Sequence, residues 1–411
     1  MRRRNVLATI GSGIGSTIGY QKMSAFRETG GDSIREREEA GGGKEINITT
    51  ASELRTAMNN AEPGNELVVE DGVYQFSSGL RPSAGGEDGN RILMRPAEGA
   101  SPVIEFTGTE FGDDDSGIQI RGPYWTVRGF EVRGSTWKGM NVDGAGHDIT
   151  FENLNVHDCN LWGIMNNGGD NVVFRNCVSH DNYDPQNEGQ NSDGFNMTGP
   201  TSGNLIEYCS AWNNGDDGFD MWVTEDETIR YCWAWNNGRG EAGNGNGFKL
   251  GSQITYKGYG GGGHLVHDCV AYNNRQSGFW WNGEEDNPIE VYNCTAWNNS
   301  IEERTHPDAA NFAFKDGEHV LKNNLSANGR VVTTDIVTEE ANSWNLGISD
   351  VEFKSINPHT ECFLQPAANS EAIDAGVDIG HKYTGKAPDL GAFETAGSGK
   401  SSTCHDVDWP N

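Results

Sequence analysis

The sequence predicts an all-β protein, a right-handed parallel β-helix with a short N-terminal capping helix. Two series of similar strings recur along the chain. The first series reads FRNCVSHDN (174–182), IEYCSAWNN (206–214), IRYCWAWNN (229–237), VHDCVAYNN (266–274) and VYNCTAWNN (291–299). The second series reads SDGFNM (192–197), DDGFDM (216–221), GNGFKL (245–250) and QSGFWW (276–281). A unit this short cannot bury its own apolar face, so the copies must stack on one another.

The residue types in these strings favour strands over helices. Asn-Asn pairs, glycines and β-branched or aromatic residues every few positions suit turns and strands. Gly194, Gly218, Gly247 and Gly278 follow one another at intervals of 24, 29 and 31 residues. A β-propeller needs about 40 residues in each blade, so the spacing is too short for that fold. We therefore expect each unit to hold two short strands joined by an Asn-Asn turn.

Stacking places equivalent residues of successive coils about 4.8 Å apart, in columns. The Asn pairs are expected to form a ladder of side-chain amides along the turn. One inward column is predicted to hold Cys177, Cys209, Cys232, Cys269 and Cys294, and another to hold Phe195, Phe219, Phe248 and Phe279. We interpret the cysteine column as small buried thiols, because the chain has no CxxC pair to suggest a metal site. Cys362 and Cys404 lie outside the repeat and are candidates for a disulfide in an exported protein.

Both ends of the repeat agree with a stacked fold, and the β-helix domain is predicted to span residues 46–395. Residues 46–74 predict an amphipathic helix that begins after Thr50, followed by a turn and a strand. Such a helix would cover the open edge of the first coil. At the other end, AIDAG (372–376) and APDLGAFE (387–394) are expected to form a closing segment, and residues 396–411 a C-terminal tail.

The N-terminus predicts secretion. Arg3 and Arg4, followed by a weakly apolar, Gly-rich stretch, resemble a twin-arginine export signal over residues 1–30. Residues 31–45 are polar, charged and Gly-rich, which is typical of a linker. No stretch approaches the roughly 18 apolar residues of a membrane span, so no membrane partner is expected.

The net charge of −30 argues against nucleic acid as a partner, because phosphates would be repelled. Two interpretations of the charge remain. The 60 acidic residues either hold cations or form a hydrated surface that keeps a protein soluble in high salt. We favour the second for most of them, which predicts a halophilic protein, and we expect a monomer.

The repeat converts the spacing of the acidic strings into geometry. If the phenylalanines point inward, the residues that follow them point outward. One exposed column should then hold Asn196, Asp220, Lys249 and Trp280. A second column should hold Asp193 and Asp217, with Asp216 beside it. Four carboxylates would therefore meet in one patch, with a lysine at its border.

Carboxylates at this density repel one another and favour a bound cation. Oxygen ligands on flexible side chains suit Ca²⁺, whereas Zn²⁺ prefers His or Cys, and neither occurs in these strings. Two other interpretations stay open. One is a Lys249–Asp220 salt bridge in a solvated acidic face, although one lysine cannot neutralise four acids. The other is a glycosidase-like acid and base pair, whose carboxylates lie about 5–9 Å apart.

The strings SDGF (192–195), DDGFD (216–220) and GNGNGFKLG (243–251), in this order, resemble polysaccharide lyase family 9. This family comprises pectate lyases built on a right-handed parallel β-helix, and the resemblance covers roughly residues 46–395. It implies one catalytic Ca²⁺ bound at Asp193, Asp216, Asp217 and Asp220. It also implies that Lys249, in the GFKLG string, is the Brønsted base. After SDGF the chain reads NMT, a departure from the family's pattern that concerns the substrate contacts of this coil.

The resemblance implies an exported, Ca²⁺-dependent pectate lyase that cleaves an acidic polysaccharide by β-elimination. Because Lys249 must act as a neutral amine and an unperturbed lysine titrates near pH 10.4, we expect an alkaline optimum. The residues nearest the expected groove that suit an acidic sugar are Arg239, Arg275, Trp280 and Lys315. Two alternatives remain: a lyase that acts on alginate or a glycosaminoglycan, and a non-catalytic polysaccharide-binding β-helix. A hydrolase is disfavoured because Lys249 replaces the acid that it would need.

Overall fold

The computed structural model describes residues 43–108, 117–252, 261–283, 287–301 and 306–395. The predicted export signal and C-terminal tail lie outside these ranges, as does nearly all of the predicted linker. Cys404 lies outside them too, so its pairing with Cys362 stays a prediction. No helix in the described part of the chain is long and apolar enough to cross a membrane.

Thirty-one short strands, numbered along the chain, form three parallel sheets in the described residues. The first sheet contains β1 (Glu45–Ile48), β2 (Glu66–Val69), β4 (Ile92–Pro96), β7 (Trp125–Arg128), β10 (Thr150–Glu152), β13 (Val173–Arg175), β16 (Leu205–Glu207), β19 (Thr228–Arg230), β22 (Leu265–His267), β25 (Glu290–Tyr292), β28 (Val320–Lys322) and β31 (Thr338–Glu340). The second contains β3 (Val73–Phe76), β5 (Val103–Phe106), β8 (Glu131–Arg133), β11 (Asn155–His157), β14 (Val178–His180), β17 (Ser210–Trp212), β20 (Trp233–Trp235), β23 (Val270–Tyr272), β26 (Thr295–Trp297) and β29 (Leu325–Ala327). The third contains β6 (Ile118–Ile120), β9 (Met140–Asp143), β12 (Ile164–Asn167), β15 (Phe195–Thr198), β18 (Phe219–Trp222), β21 (Phe248–Lys249), β24 (Phe279–Trp280), β27 (Phe312–Phe314) and β30 (Val331–Thr333).

From β4 to β30 each coil contributes one strand to each sheet, so the architecture is the predicted parallel β-helix. The expectation of two strands per unit was wrong, because each string of the first series folds as two strands. A residue with positive φ separates them: Tyr208, Tyr231 and Asp268 all have φ of 55°. The chain turns at this residue, and the following cysteine precedes a strand of the second sheet. A sequence pattern of apolar residues does not reveal such a one-residue bend.

The predicted helix is α1 (Ala51–Asn59), and Thr50 is its N-cap. Thr50 and Glu53 form a capping box, in which each side chain accepts a hydrogen bond from the backbone of the other. The helix buries Leu54, Ala57 and Met58 against the core at the first coil. This apolar face covers the edge that the first strands would otherwise expose.

The core consists of the predicted columns. The rings of Phe195, Phe219, Phe248, Phe279 and Phe312 stack at centroid distances of 4.8–5.0 Å. The five repeat cysteines are fully buried free thiols, as predicted. The second Asn of each pair forms the expected ladder through Nδ2–Oδ1 hydrogen bonds of 2.8–3.0 Å between Asn214, Asn237, Asn274 and Asn299, and Asn182 and Asn311 extend the ladder at its two ends. Stacking of identical residues therefore fixes the register from coil to coil.

The residues after the last coil differ from the closing segment that the sequence suggested. They fold back along the outer face of the second sheet, where Phe363 contacts the rings of Tyr272 and Trp297, and Phe393 contacts Trp233. Trp344 packs against Phe312 near the last coil. The outward aromatic residues of the second sheet are thus covered by the C-terminal part of the chain.

We expect Asn237→Ala to lower the free energy of unfolding by about 3–5 kcal/mol, since each buried group left without its partner costs about 1–3 kcal/mol. Asn237 Nδ2 donates to Ala211 O and Asn274 Oδ1, and its Oδ1 accepts from Asn214. Urea unfolding would measure the change. The control is Asn47→Ala, because Asn47 is an exposed residue of β1. Equal unfolding midpoints for the two variants would contradict the ladder's contribution.

Candidate active site

The third sheet aligns the acidic strings. Phe195, Phe219 and Phe248 occupy one register position in β15, β18 and β21. The next position pairs Asn196 with Asp220 and Asp220 with Lys249, as the sequence predicted. Because these residues follow inward-pointing rings, their side chains leave the outer face of the sheet. Asp220 and Lys249 therefore stand on neighbouring coils.

The glycine before each phenylalanine is a steric requirement of the stack. A Cβ on Gly218 would lie 2.7 Å from the carbonyl oxygen of Gly247 on the next coil. The same atom on Gly194 would lie 2.8 Å from the carbonyl oxygen of Gly218. Contacts this short are not tolerated, so only glycine lets the coils approach here. This close approach brings the preceding aspartates, Asp193 and Asp217, onto adjacent coils.

Three carboxylates form the centre of the site. Asp193, Asp216 and Asp217 each offer an oxygen, and these oxygens lie within 4.8 Å of one another. The three residues are 1%, 6% and 0% exposed. Asp220 is 6% exposed and lies beside this group. The chain therefore gathers four carboxylates in a nearly water-free place.

Lys249 contacts two of these carboxylates. Its Nζ donates to Asp220 Oδ2 at 2.9 Å and lies 3.4 Å from Asp217 Oδ2. The lysine side chain is only 12% exposed. The expectation of an exposed column was therefore wrong. Loops beside the third sheet cover the cluster, since the backbone N–H groups of Asn191 and Asn244 donate to the two oxygens of Asp216.

Neighbouring amides orient the carboxylates. Asp193 accepts from the Asp217 backbone N–H and from Asn196 Nδ2, both at 2.9 Å. Asp217 Oδ1 accepts from the backbone and the side chain of Asn246, at 2.6 and 2.9 Å. The sequence interpretation did not assign these roles. The signal was present, because Asn196 and Asn246 occupy the repeat positions of Asp220 and Asp217.

Burial and mutual repulsion weaken the acids. Burial, followed by the charges of the other aspartates, raises the pKa of Asp193 well above its usual value. Burial also raises the pKa of Asp216 to about 7 and that of Asp220 to about 6. Burial alone would lower the pKa of Lys249, but the surrounding carboxylates raise it well above the usual value. These pKa shifts arise because several negative charges lie close together where little water can screen them.

The donor set fits a divalent cation with a preference for oxygen. Asp217 Oδ2 and Asp220 Oδ1 are buried and accept no hydrogen bond from the described residues, although Lys249 Nζ lies 3.4 Å from Asp217 Oδ2. Buried carboxylate oxygens of this kind are costly unless a cation or a donor meets them. Four carboxylates and one ammonium group leave three negative charges when all are ionised. Oxygen ligands suit Ca²⁺, and none of the four is the imidazole or thiolate that Zn²⁺ prefers.

The four residues predicted to bind substrate differ in their surroundings. Trp280 is the register neighbour of Lys249, and its ring lies 5.5 Å from that of His306. Lys315 Nζ lies 2.6 Å from Asp308 Oδ1. Arg239 pairs with Asp181 at 3.3 Å and lies over the ring of Tyr183. A substrate role for these three residues stays a prediction.

Arg275 is engaged with the backbone of a loop. Its Nη1 donates to the carbonyl oxygens of Gly240 at 2.5 Å and Gly243 at 3.2 Å. This loop also contributes the Asn244 N–H that binds Asp216. The structure thus gives Arg275 a part in holding the loop that covers the site, and its predicted contact with substrate stays a prediction.

Comparisons with known proteins agree on one family. The family model described as "Pel9A-like, right handed beta helix region" matches residues 37–324. The chain is 31% identical over 380 residues to pectate lyase L of Dickeya chrysanthemi, covering 82% of this chain and 84% of that protein. It is 30% identical over 376 residues to pectate lyase L of Paenibacillus polymyxa, covering 80% of each. The crystal structure of pectate lyase Pel9A superposes with a TM-score of 0.69 at 28% identity, covering 82% of this chain and 90% of that one.

Proposed function

The chain belongs to the Pel9A-like right-handed β-helix family, polysaccharide lyase family 9, and from this membership we propose that it is a Ca²⁺-dependent pectate lyase with Lys249 as its base. One observation carries the assignment of the base. The Lys249 amine lies 2.9 Å from Asp220 and 3.4 Å from Asp217, within a cluster of four buried carboxylates. A lone amine at such a site suits proton abstraction beside a uronate carboxylate.

The proposed metal ligands are Asp193, Asp216, Asp217 and Asp220. When bound there, Ca²⁺ supplies positive charge that offsets the carboxylates and stabilises the negative charge that develops on the substrate carboxylate. Asn196 and Asn246 hold two of these aspartates in position. Asp217 Oδ2 and Asp220 Oδ1, which accept no hydrogen bond from the described residues, support this assignment.

Lys249 then performs the proton transfer. Its neutral amine takes the proton from C5 of a uronate, which is weakly acidic because C5 is adjacent to the C6 carboxylate. The electron pair of the C5–H bond forms the C4–C5 double bond, the bond from C4 to the glycosidic oxygen breaks, and that oxygen takes a proton from solvent water. The products are two shorter fragments, one of which carries an unsaturated uronate at its new end. The hydrogen bond to Asp220 restricts the Lys249 amine to one position beside the carboxylates.

Trp280 is the residue we propose for sugar stacking, since it follows Lys249 in the same outward column. A sugar that packs on an indole gains apolar contact. We expect Trp280→Ala to raise KM for polygalacturonate about tenfold or more and to change kcat less. Steady-state kinetics on the polymer would test this, with His147→Ala as the control, because His147 lies in the turn between β9 and β10. An unchanged KM would remove Trp280 from the substrate site.

The secretion and salt predictions remain part of the proposal. Residues 1–42 lie outside the described ranges, so export by the twin-arginine route rests on the sequence alone. The halophilic character rests on the net charge of −30, and the monomeric state is likewise a prediction.

One assay tests the proposed function. The protein is incubated with polygalacturonate, alginate or a glycosaminoglycan, in Ca²⁺ or in EDTA, and the ultraviolet absorbance of the unsaturated product is followed. We expect product from polygalacturonate in Ca²⁺ and none in EDTA. Product from another polyuronate alone would establish the alternative lyase. Polymer binding without product at any pH would establish a non-catalytic binding protein, and activity in EDTA would exclude the metal.

A further inference from the structure

A second group of side chains that can bind a metal lies beside the first sheet, whereas the aspartate cluster lies beside the third. His267 is the last residue of β22 in the first sheet, and Asp268 follows it at the turn. His381 belongs to the C-terminal segment, defined here as residues 374–395. Among the described residues, His267, Asp268 and His381 each offer a ligand atom, and these atoms lie within 4.8 Å of one another. Two parts of the chain more than a hundred residues apart thus meet at one point.

The distances between the ligand atoms of these three residues are similar to those around a bound metal ion. His267 Nδ1 lies 2.7 Å from Asp268 Oδ2, and His381 Nδ1 lies 3.8 Å from the same oxygen. The two imidazole rings are 4.8 Å apart. Bonds of about 2.0–2.1 Å in a tetrahedral site place ligand atoms roughly 3.3 Å apart. The two distances to Asp268 Oδ2 each differ from this value by about half an ångström, and the ligand atoms of the two histidines lie within 4.8 Å of each other.

His–Asp pairs similar to His267–Asp268 occur elsewhere among the described residues, without a third side chain that brings a ligand atom within 4.8 Å of both members. His147–Asp148, His157–Asp158 and His180–Asp181 share its geometry, with Nδ1–Oδ2 distances of 2.7–2.9 Å and an aspartate of positive φ. The pair alone is thus a feature of the turn. The addition of His381 from the C-terminal segment distinguishes the group at His267, and it makes the other pairs natural controls.

The chemistry of the three ligands selects the metal. Two imidazoles and one carboxylate suit Zn²⁺ and similar transition metals, whereas Ca²⁺ prefers an all-oxygen shell. Asp268 and His381 are 15% and 36% exposed, so a cation can enter and water can complete the shell. Asn293 Nδ2, at 3.3 Å, holds the other oxygen of Asp268. We propose that His267, Asp268 and His381 form a binding site for Zn²⁺ or a similar transition-metal cation.

A cation at this site joins the C-terminal segment to the flank of the β-helix. The segment is already held by reciprocal hydrogen bonds between Val377 and Asn323, and by one from Ala392 N to Thr295 Oγ1. His381 lies between these anchors in sequence. A bound metal would therefore attach the segment to the β-helix at a third point, between Val377 and Ala392. The proposed zinc site does not depend on the proposed lyase activity, since it lies at the C-terminal end of β22 in the first sheet and the lyase site lies on the third sheet.

Calorimetric titration with Zn²⁺ tests the site on the full chain, stripped of metal and then kept in excess Ca²⁺ so that the aspartate cluster is occupied. We expect about one Zn²⁺ per chain. His381→Ala and Asp268→Asn should each weaken binding at least tenfold, because loss of outer partners alone costs about 10- to 100-fold. Asn tolerates the positive φ at position 268, so this variant keeps the turn. His147→Ala, which changes a pair that lacks the third ligand, should bind as the parent does.

A second readout separates coordination from folding. Co²⁺ in place of Zn²⁺ gives visible absorption that reports its ligands, and His381→Ala should change this spectrum while far-ultraviolet circular dichroism stays the same. Protease resistance of the C-terminal segment should rise with Zn²⁺ in the parent and not in Asp268→Asn. No Zn²⁺ binding in Ca²⁺, or equal binding by the parent and His381→Ala, would overturn the proposal.

Discussion

Lys249→Ala is expected to lower kcat on polygalacturonate by about 10²- to 10⁴-fold, the usual contribution of a positioned general base. The variant should still bind Ca²⁺, and more tightly than the parent, because the ammonium that repels the cation is gone. Without Ca²⁺ it should unfold more easily, since four carboxylates then face one another with no positive partner. Rates, Ca²⁺ titrations and thermal unfolding measure these three effects.

The Lys249→Arg variant distinguishes the role of Lys249 as a base from the role of its positive charge. Arginine keeps the positive charge and stays protonated at any accessible pH, so it cannot accept the proton. We expect this variant to be as inactive as Lys249→Ala while it restores stability without Ca²⁺. Substantial activity in Lys249→Arg would show that the lysine acts through its charge.

The pH dependence follows from the same contacts. The carboxylates raise the pKa of Lys249, which keeps its amine protonated at neutral pH. Because the neutral amine is the active form, activity should rise as the pH increases into the alkaline range. A rate maximum below about pH 6 would contradict the role of Lys249.

Asp217→Asn is expected to weaken Ca²⁺ binding by at least about 100-fold and to reduce lyase activity in proportion, because it removes the most deeply buried ligand charge. Asn keeps the shape and can still accept both hydrogen bonds from Asn246. The metal-free variant should be more stable than the metal-free parent, since one charge of a repelling group is lost. Calorimetric Ca²⁺ titration and thermal unfolding with and without EDTA measure these effects.

The control for this variant is Asp226→Asn. Asp226 is an exposed residue between β18 and β19, so the change removes the same charge close by in the chain. Its φ of 58° is a value that asparagine tolerates. Ca²⁺ affinity should be unchanged in this variant. If both variants weakened Ca²⁺ binding equally, general attraction to an acidic surface would explain the affinity, and the assigned ligand site would be wrong.

The columns were predictable from the sequence because identical residues recur at one position of each coil. The phenylalanine stack, the buried cysteines and the asparagine ladder each follow from a period in the strings. Asp220 and Lys249 were placed on neighbouring coils by the same reasoning, since the register of parallel strands carries side-chain positions from coil to coil. The helix after Thr50 followed from a local signal, the capping box.

Other features depend on contacts that no period encodes. The burial of Lys249 comes from loops between the repeats, which vary in length and carry no repeated pattern. Arg275 looked available for substrate, but it holds the carbonyls of one such loop. His381 reaches Asp268 because the C-terminal segment folds back, an arrangement set by packing on the second sheet.

The sequence alone therefore determined the β-helix, its columns and the five residues proposed for catalysis, because stacking converts a repeat in one dimension into neighbours in three. Only the tertiary structure decided how deeply those residues are buried, which carboxylate oxygens accept no hydrogen bond from the described residues, and where the C-terminal segment meets the first sheet. These properties depend on segments outside the repeat. Their positions follow from packing and hydrogen bonding over long separations in the chain.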